Sequence, residues 1–253
     1  MNLVSIIIPY FKKRNYIKKA ITSVLRQTHQ NFEVIIVFDD ENLNDVNLIN
    51  NIKKLDKRIF VIFNSKNIGA GLSRNKGIKY AKGDLIAFLD SDDIWKKNKL
   101  ELQIKFMKRK RADFSFTAYE IINSDVLKKY KREAKSKLNY ESLIRSCDIG
   151  LSTVMMKKKL FNNYFKFPSL KTKEDYVLWL KLAKKKIVLY ALNITLTQWR
   201  ATNNSLSANS FQKIFDAFLV YNKYMKFNFF KSCQNVFSVP LSTTEIVSLK
   251  SIL

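Results

Sequence analysis

Phe88-Leu89-Asp90-Ser91-Asp92-Asp93-Ile94-Trp95 decides how the rest of the chain is read. Three carboxylates fall within four residues, directly behind the apolar run Leu85-Ile86-Ala87-Phe88-Leu89. A run of that length, opened by the Gly83-Asp84 turn, predicts a buried strand. The carboxylates then leave the strand at its C-terminal end, where open α/β sheets take their ligands. Oxygen donors placed there suit a hard divalent cation, Mg²⁺ or Mn²⁺, which accepts one or two carboxylates and leaves its other positions to phosphate oxygens and water. The competing reading is a helix N-cap, with Ser91, Asp92 or Asp93 capping a helix that starts near Ile94.

Upstream, strand and helix signals alternate without a break. Val4 to Ile8 predicts a strand stopped by Pro9-Tyr10, and Ile17, Ala20, Ile21, Val24 and Leu25 recur at helical spacing with Asn15 as N-cap. Val34 to Phe38 predicts a second strand ending in Asp39-Asp40, followed by a helix through Val46, Ile49 and Ile52, and Ile59 to Phe63 a third strand. A helix from Leu72 to Ala81 then leads into the strand that ends at Asp90. Such alternation predicts an α/β fold with a Rossmann-like, mostly parallel central sheet flanked by helices. Pro9-Tyr10, Asp39-Asp40, Asn64 and Asp90 to Asp92 then line one crevice, because they end neighbouring strands on the same side.

Downstream, Leu100, Ile104 and Met107 predict an amphipathic helix with a Lys/Arg-rich outer face, and Asp113 to Tyr119 a strand. The charge-dense stretch from Asn123 to Lys137 reads as a solvated excursion, and Leu151 to Met156 as a strand. A helix starts near Lys173-Glu174-Asp175, where its dipole favours the two acids. Ile187 to Tyr190 and Leu196 to Trp199 read as two short strands leading to Arg200, and Phe211 to Met225 as one amphipathic helix. No repeat or Pro/Gly/Ser linker interrupts the chain. The expected organisation is one domain over 1–208, with halves 1–95 and 96–208, and a helical extension over 209–253.

With 46 Lys and Arg against 21 Asp and Glu, the chain favours an anionic partner, although a lysine-rich composition alone gives the same surplus. Two cysteines, Cys147 and Cys233, are too few for a disulfide framework or a cysteine zinc site, so reduced thiols in a cytoplasmic setting are expected. The N-terminal apolar run precedes its basic residues, the reverse of a secretory signal, and no apolar stretch approaches a bilayer-spanning length.

The ordered set of motifs resembles the family 2 inverting glycosyltransferases of the GT-A fold, of the bacterial surface-polysaccharide type. The matching pieces are Val4 to Tyr10, Ser23-Val24-Leu25-Arg26-Gln27-Thr28, Asn31 to Val37 with its aspartates, Gly69 to Asn75, Asp90-Ser91-Asp92 as the family's DxD motif, Lys173-Glu174-Asp175 with Trp179, and Trp199-Arg200 with Ser205. They span about residues 1–207. The resemblance implies that Pro9, Tyr10 and an acid after the second strand hold the nucleotide base. Asp39 is preferred for that acid and Asp40 is close behind, because Phe38 stands where the family commonly has the first of two acids. It further implies that Arg74 contacts the nucleotide, that Asp90 and Ser91 approach the nucleotide-sugar, that Asp92 ligates Mn²⁺ or Mg²⁺ with Asp90, and that the base lies in Glu174-Asp175, with Asp175 preferred. The implied partners are a nucleoside-diphosphate sugar, a UDP-sugar first among them, and a glycan or lipid-linked glycan acceptor. Work at the inner face of the plasma membrane follows, with an anionic membrane surface as a further partner for the C-terminal helix. Many relatives carry a His shortly after the late aromatic-Arg pair where this chain has Thr202, so no third metal ligand is expected there, although Arg200 can still meet the diphosphate.

The implied chemistry is consistent with the charges. A departing nucleoside diphosphate gathers negative charge that a divalent cation can balance, and the attacking hydroxyl must lose its proton to a carboxylate. A sugar nucleotidyltransferase is the alternative enzyme, but Pro9-Tyr10-Phe11 stands where its glycine-rich phosphate loop belongs, and no glycine precedes Gly69. A basic nucleic-acid-binding protein is the alternative from another class. The runs Lys96 to Arg111 and Lys128 to Lys137 carry no recognisable binding module, so no nucleic acid is expected.

Overall fold

The apolar runs of the N-terminal half become strands because helices cover both faces of the sheet they form. A computed structural model describes residues 2–123, 126–135, 137–145, 149–201 and 210–238. Strands β1 (Val4–Tyr10) and β2 (Phe32–Phe38) are buried along their whole length; β3 (Ile59–Phe63) and β4 (Leu85–Phe88) complete a parallel set in the order β3-β2-β1-β4. The two-residue alternation divides the core. Ile6, Ile8, Val34 and Ile36 face α1 (Arg14–Leu25), α2 (Leu43–Lys53) and a later helix, while Ile7, Ile35 and Val37 face α3 (Ala70–Tyr80) and the helix that carries Trp179.

The second half extends the same sheet with mixed directions. It comprises β5 (Ile94–Trp95), α4 (Lys99–Lys110), β6 (Phe114–Asn123), β7 (Val126–Arg132), β8 (Lys137–Leu138), α5 (Tyr140–Leu143), β9 (Met155–Lys157), α6 (Glu174–Lys184) and β10 (Leu189–Ala201). From β4 the order runs β9-β6-β10-β5, with β9 antiparallel to both neighbours and β6 parallel to β10. Helices α7 (Ser210–Leu219) and α8 (Phe229–Ser238) follow.

Several local expectations are corrected. No helix starts at Ile94: Asp93 Oδ1 accepts from Arg200 N across the sheet, Ile94–Trp95 pairs with β10, and α4 begins at Lys99. Helix α1 starts at Arg14 with Lys13 before it and no side-chain cap, so Asn15 is not its N-cap. The stretch 151–156 is a 3₁₀ turn, Leu151–Thr153, followed by the short β9; Thr153 Oγ1 donates to Gly150 O, a local bond that competes with strand pairing. The supposed excursion after Asn123 contains β7, paired antiparallel to β6. The two late strands are one strand, β10, whose register shifts between Leu192 and Thr197; Asn193 in that irregular stretch accepts from Ala134 N. On α4 the first lysine is not on the outer face. Lys99 is buried, donates to Gln103 Oε1 at 2.8 Å and lies 4.2 Å from the Trp95 ring centre; burial lowers its pKa to about 7.

The C-terminal helix also breaks. A wide turn over Val220–Tyr224 separates α7 from α8, and Lys226 takes a positive φ of 64°. Val220, Tyr221 and Met225 enter the core beside α6, and the buried Asp216 accepts from Thr172 N and Oγ1, both at 2.8 Å. The other side is open: Phe211, Phe230 and Phe237 are 86, 83 and 81 % exposed. Among the described residues no helix is long and apolar enough to cross a membrane. Cys147, Thr202 and Ser205 lie outside the described residues.

Candidate active site

The strand ends converge as the topology requires. Asp39 N donates to Tyr10 O and Asn64 N to Phe38 O, each at 2.9 Å, so β1, β2 and β3 finish side by side. The Asp39 carboxylate accepts from Asn64 Nδ2, Ile68 N and Gly69 N, all at 2.8 Å, which clamps the β3–α3 loop to the end of β2. Gly69 opens α3 at φ +88°, a conformation that disfavours any side chain. Asp40 accepts from Lys12 N and Glu41 N at 2.8 Å and so holds the turn beyond β1. Pro9 is buried in the pairing of β1 with β2. Tyr10 is buried too: its ring stacks on Phe38 at 5.4 Å and its hydroxyl donates to Asp45 at 2.6 Å. Burial and then the Asp45 carboxylate push its phenol pKa up.

Arg74, on α3, joins two distant parts of the chain. Its Nη1 donates to Glu174 Oε1 at 2.5 Å and its Nη2 to Asp90 Oδ1 at 2.7 Å, while its guanidinium carbon lies 5.6 Å from the Phe167 ring centre. Burial works against the charge, but the two carboxylates outweigh it and keep the group cationic. The approach depends on Gly71, where an added Cβ would lie 2.8 Å from Pro168 O and 3.0 Å from Glu174 Cγ. Although the resemblance implies that Arg74 meets the nucleotide, both of its terminal nitrogens are engaged by carboxylates here.

The acidic loop beyond β4 is held from several sides. Asp90 N donates to Ser152 Oγ at 3.0 Å; Ser152 O accepts from Trp95 Nε1 at 2.8 Å, which makes Trp95 a core residue that supports the loop. Ser91 is buried. Asp92 Oδ2 pairs with Lys13 Nζ at 2.7 Å. Burial raises the Asp92 pKa, Lys13 opposes that, and Asp90 adds to it. The fully buried Asp93 is raised further, by burial and then by Asp92 and Asp90, against the opposing pull of the Ser152 side chain and Arg200 N. Arg200 closes the loop: its N bonds Asp93, its Nε donates to Asp92 O at 3.1 Å, and its guanidinium lies 4.9 Å from the Tyr16 ring centre.

These residues fit a divalent cation. Asp90 and Asp92 offer hard oxygens, and the Lys13 ammonium already satisfies Asp92 as a cation would. Among the described residues no three His, Cys, Asp or Glu side chains form a complete protein cage. Two carboxylates are what Mg²⁺ or Mn²⁺ takes when phosphates and water complete its shell.

Asp175 stands in the first turn of α6 behind Lys173, whose φ is +62°. Its Oδ1 accepts from Tyr176 N at 2.7 Å. Part of its surface is open, yet burial, with the Glu174 charge next in weight, pushes its pKa up to about 7 against the pull of Arg74. Glu174 is tied to Arg74, whereas Asp175 has no bonded cation among the described residues. The next-but-three residue, Trp179, is fully buried, edge-on to Phe114 at 5.0 Å, and anchors the helix. Sequence reasoning missed Lys13, Ser152 and the pairing role of Glu174. Lys13 is one of three consecutive basic residues, and Ser152 lies in a stretch read as a strand, so neither gave a local signal.

The chain matches the profile described as Glycosyl transferase family 2 over residues 5–165. It is 36% identical over 232 residues to TuaG, a glycosyltransferase assigned to teichuronic acid biosynthesis in Bacillus subtilis, with 91% of each chain covered. Over 213 residues it is 38% identical to the UDP-Glc:α-D-GlcNAc-diphosphoundecaprenol β-1,3-glucosyltransferase WfgD of Escherichia coli, covering 84% of this chain and 82% of that one. Among solved structures, the mannosyltransferase PcManGT of Pyrobaculum calidifontis, in complex with GDP-Man and Mn²⁺, superposes with a TM-score of 0.70 at 12% identity, covering 98% of this chain and 74% of that one.

Proposed function

The chain belongs to glycosyl transferase family 2, and from that premise we propose that it moves a sugar from a UDP-sugar to a hydroxyl of a diphospholipid-linked glycan, with inversion, in the assembly of a bacterial surface polysaccharide. The observation that carries the reading is the Arg74 bridge, which ties the acidic loop at the end of β4 to the first turn of α6. The two ends of the bridge carry different tasks. On one side, Asp92 with Asp90 would hold Mn²⁺ or Mg²⁺, which when bound balances the charge of a departing diphosphate. The Mn²⁺ complex of PcManGT supports that choice. On the other side, Asp175 takes the proton of the acceptor hydroxyl, a task suited to a carboxylate raised towards neutrality. Pro9, Tyr10, Asp39 and Asp40 form the base end of the donor site over the 1–95 half, Ser91 and Arg200 border the diphosphate, and Arg74 positions both carboxylates.

The test is a donor screen with UDP-, GDP- and dTDP-sugars, Mn²⁺ or Mg²⁺ and an undecaprenyl-diphosphate-linked sugar. Release of UDP from a UDP-sugar is expected. Pyrophosphate release from a sugar phosphate and a nucleoside triphosphate would instead establish the nucleotidyltransferase reading.

The exposed aromatic side of α7 and α8 is proposed to lie in the headgroup layer of an anionic membrane at its inner face. Lys213, Lys223, Lys226 and Lys231 accompany Phe211, Phe215, Phe229 and Phe230 there. Truncating before α7 would also remove Asp216 and Tyr221 from the core, so point changes are the better probe. Replacing Phe211, Phe215 and Phe230 together by Ser should lower binding to phosphatidylglycerol vesicles by more than about tenfold, with the melting temperature preserved. Unchanged sedimentation would refute membrane contact through this face.

A further inference from the structure

We propose that the groove between α1, α2 and β5 is a binding site for the diphosphate of an amphiphilic acceptor. The groove has a volume of about 700 Å³. Its rim carries Lys18, Lys19, Arg26 and Lys97; its floor includes Leu48 and Ile94. Among the described residues no carboxylate lines it. Arg14, at one end, is paired with Asp45 at 2.8 Å, whereas the four rim cations have no ion-pair partner among the described residues. With 46 Lys and Arg against 21 Asp and Glu, unpaired cations are common in this chain; what marks these four is that they surround one concavity without a counter-charge, which attracts phosphate.

Two features select the occupant. A cationic rim over an aliphatic floor matches a molecule with a phosphate head and a hydrocarbon chain better than it matches a free sugar or a nucleotide base. The position is the second feature. Ile94 lies two residues beyond Asp92, within about 7 Å along the chain, and Arg14 adjoins Lys13, which bonds Asp92. The groove therefore opens beside the acidic loop and runs away from it along α1, with Lys18 and Arg26 about 12 Å apart on that axis. A diphosphate seated on the rim leaves the sugar attached to it near the acidic loop and the hydrocarbon pointing outward.

The inference rests on the reading of the acceptor as a diphosphate-linked lipid, so its test avoids turnover. Lys18→Ala, Lys19→Ala and Arg26→Ala are combined in one full-length variant; all three residues are exposed on or just beyond α1, where alanine suits the helix. Binding of undecyl diphosphate is compared with that of inorganic pyrophosphate and of neutral undecyl maltoside. The parent should bind undecyl diphosphate most tightly, and the variant should weaken it at least tenfold while UDP affinity stays unchanged. Equal affinity of parent and variant for undecyl diphosphate would overturn the proposal. So would a variant that loses binding to phosphatidylglycerol vesicles but keeps undecyl diphosphate, since the rim would then serve bilayer headgroups. A protein that binds undecyl diphosphate through the rim yet releases no UDP from any donor fails the catalytic reading alone. One that releases UDP with an unchanged dissociation constant in the variant fails only this proposal.

Discussion

Asp175→Asn is expected to lower turnover by about 10²-fold or more, the range for removing a general base. Donor affinity should stay within about twofold, because the proposed base faces the acceptor rather than the nucleotide. The parent's pH profile should identify the same group. Its carboxyl is pushed up to about 7 by burial and the neighbouring Glu174, and only the ionised form accepts a proton. Activity should therefore rise about tenfold per pH unit below that value and level off above it. Stability should move the opposite way. A carboxyl whose folded pKa exceeds its unfolded value favours the folded state when protonated, so this contribution is lost as pH rises from about 4 through about 7. Asparagine resembles the neutral form, and the variant should melt no lower than the parent at pH 8. Thermal melts and single-turnover kinetics across pH 5 to 9 check both signs. Loss of activity in Glu174→Gln with Asp175→Asn still active would move the base to the neighbouring position. The structure makes a different forecast for Glu174→Gln: it weakens the bond to a buried arginine, so its defect should include a lower melting temperature.

Asp92→Ala should remove nucleotide affinity and activity together, with turnover reduced by about 10²-fold or more, as when a group that balances transition-state charge is lost. The readouts are isothermal titration with UDP in the presence of Mn²⁺, and donor turnover. EDTA in excess should bring the parent close to the variant, and Mn²⁺ should restore the parent alone. Full parent activity in EDTA would overturn the metal assignment. The fold should survive. Asp92 is itself disfavoured by burial, and its removal breaks the ion pair with the partly exposed Lys13 ammonium. Circular dichroism on the same samples separates a lost site from a lost fold.

The N-terminal half was legible because its signals are local and repeated. Four apolar runs, each ended by a polar residue, encode buried strands whether or not distant residues are known, and parallel pairing then gathers Tyr10, Asp39, Asn64 and Asp90 at one edge. The second half was read less well because its elements owe their form to partners far along the chain. Ile94–Trp95 is a strand rather than a helix start because Thr197 and Gln198 pair with it, and β7 exists because β6 offers it an edge. Asp93 could cap a helix in isolation; Arg200, more than a hundred residues later, claims its carboxylate instead.

The sequence by itself determined the α/β class, the parallel core, the acidic loop at the end of a strand and the identity of the acid pair at the start of α6. Periodicity, turn residues and helix-dipole preference act over a few residues and can be read in one dimension. Only the tertiary structure decided what each charge does. It committed Arg74 to Asp90 and Glu174, placed Lys13 against Asp92, and left Asp175 with no bonded cation among the described residues, in surroundings that raise its pKa. The physical reason is that a charge takes its role from desolvation and from the nearest opposite charge, and both are set by residues that the fold, not the chain order, brings within a few ångströms.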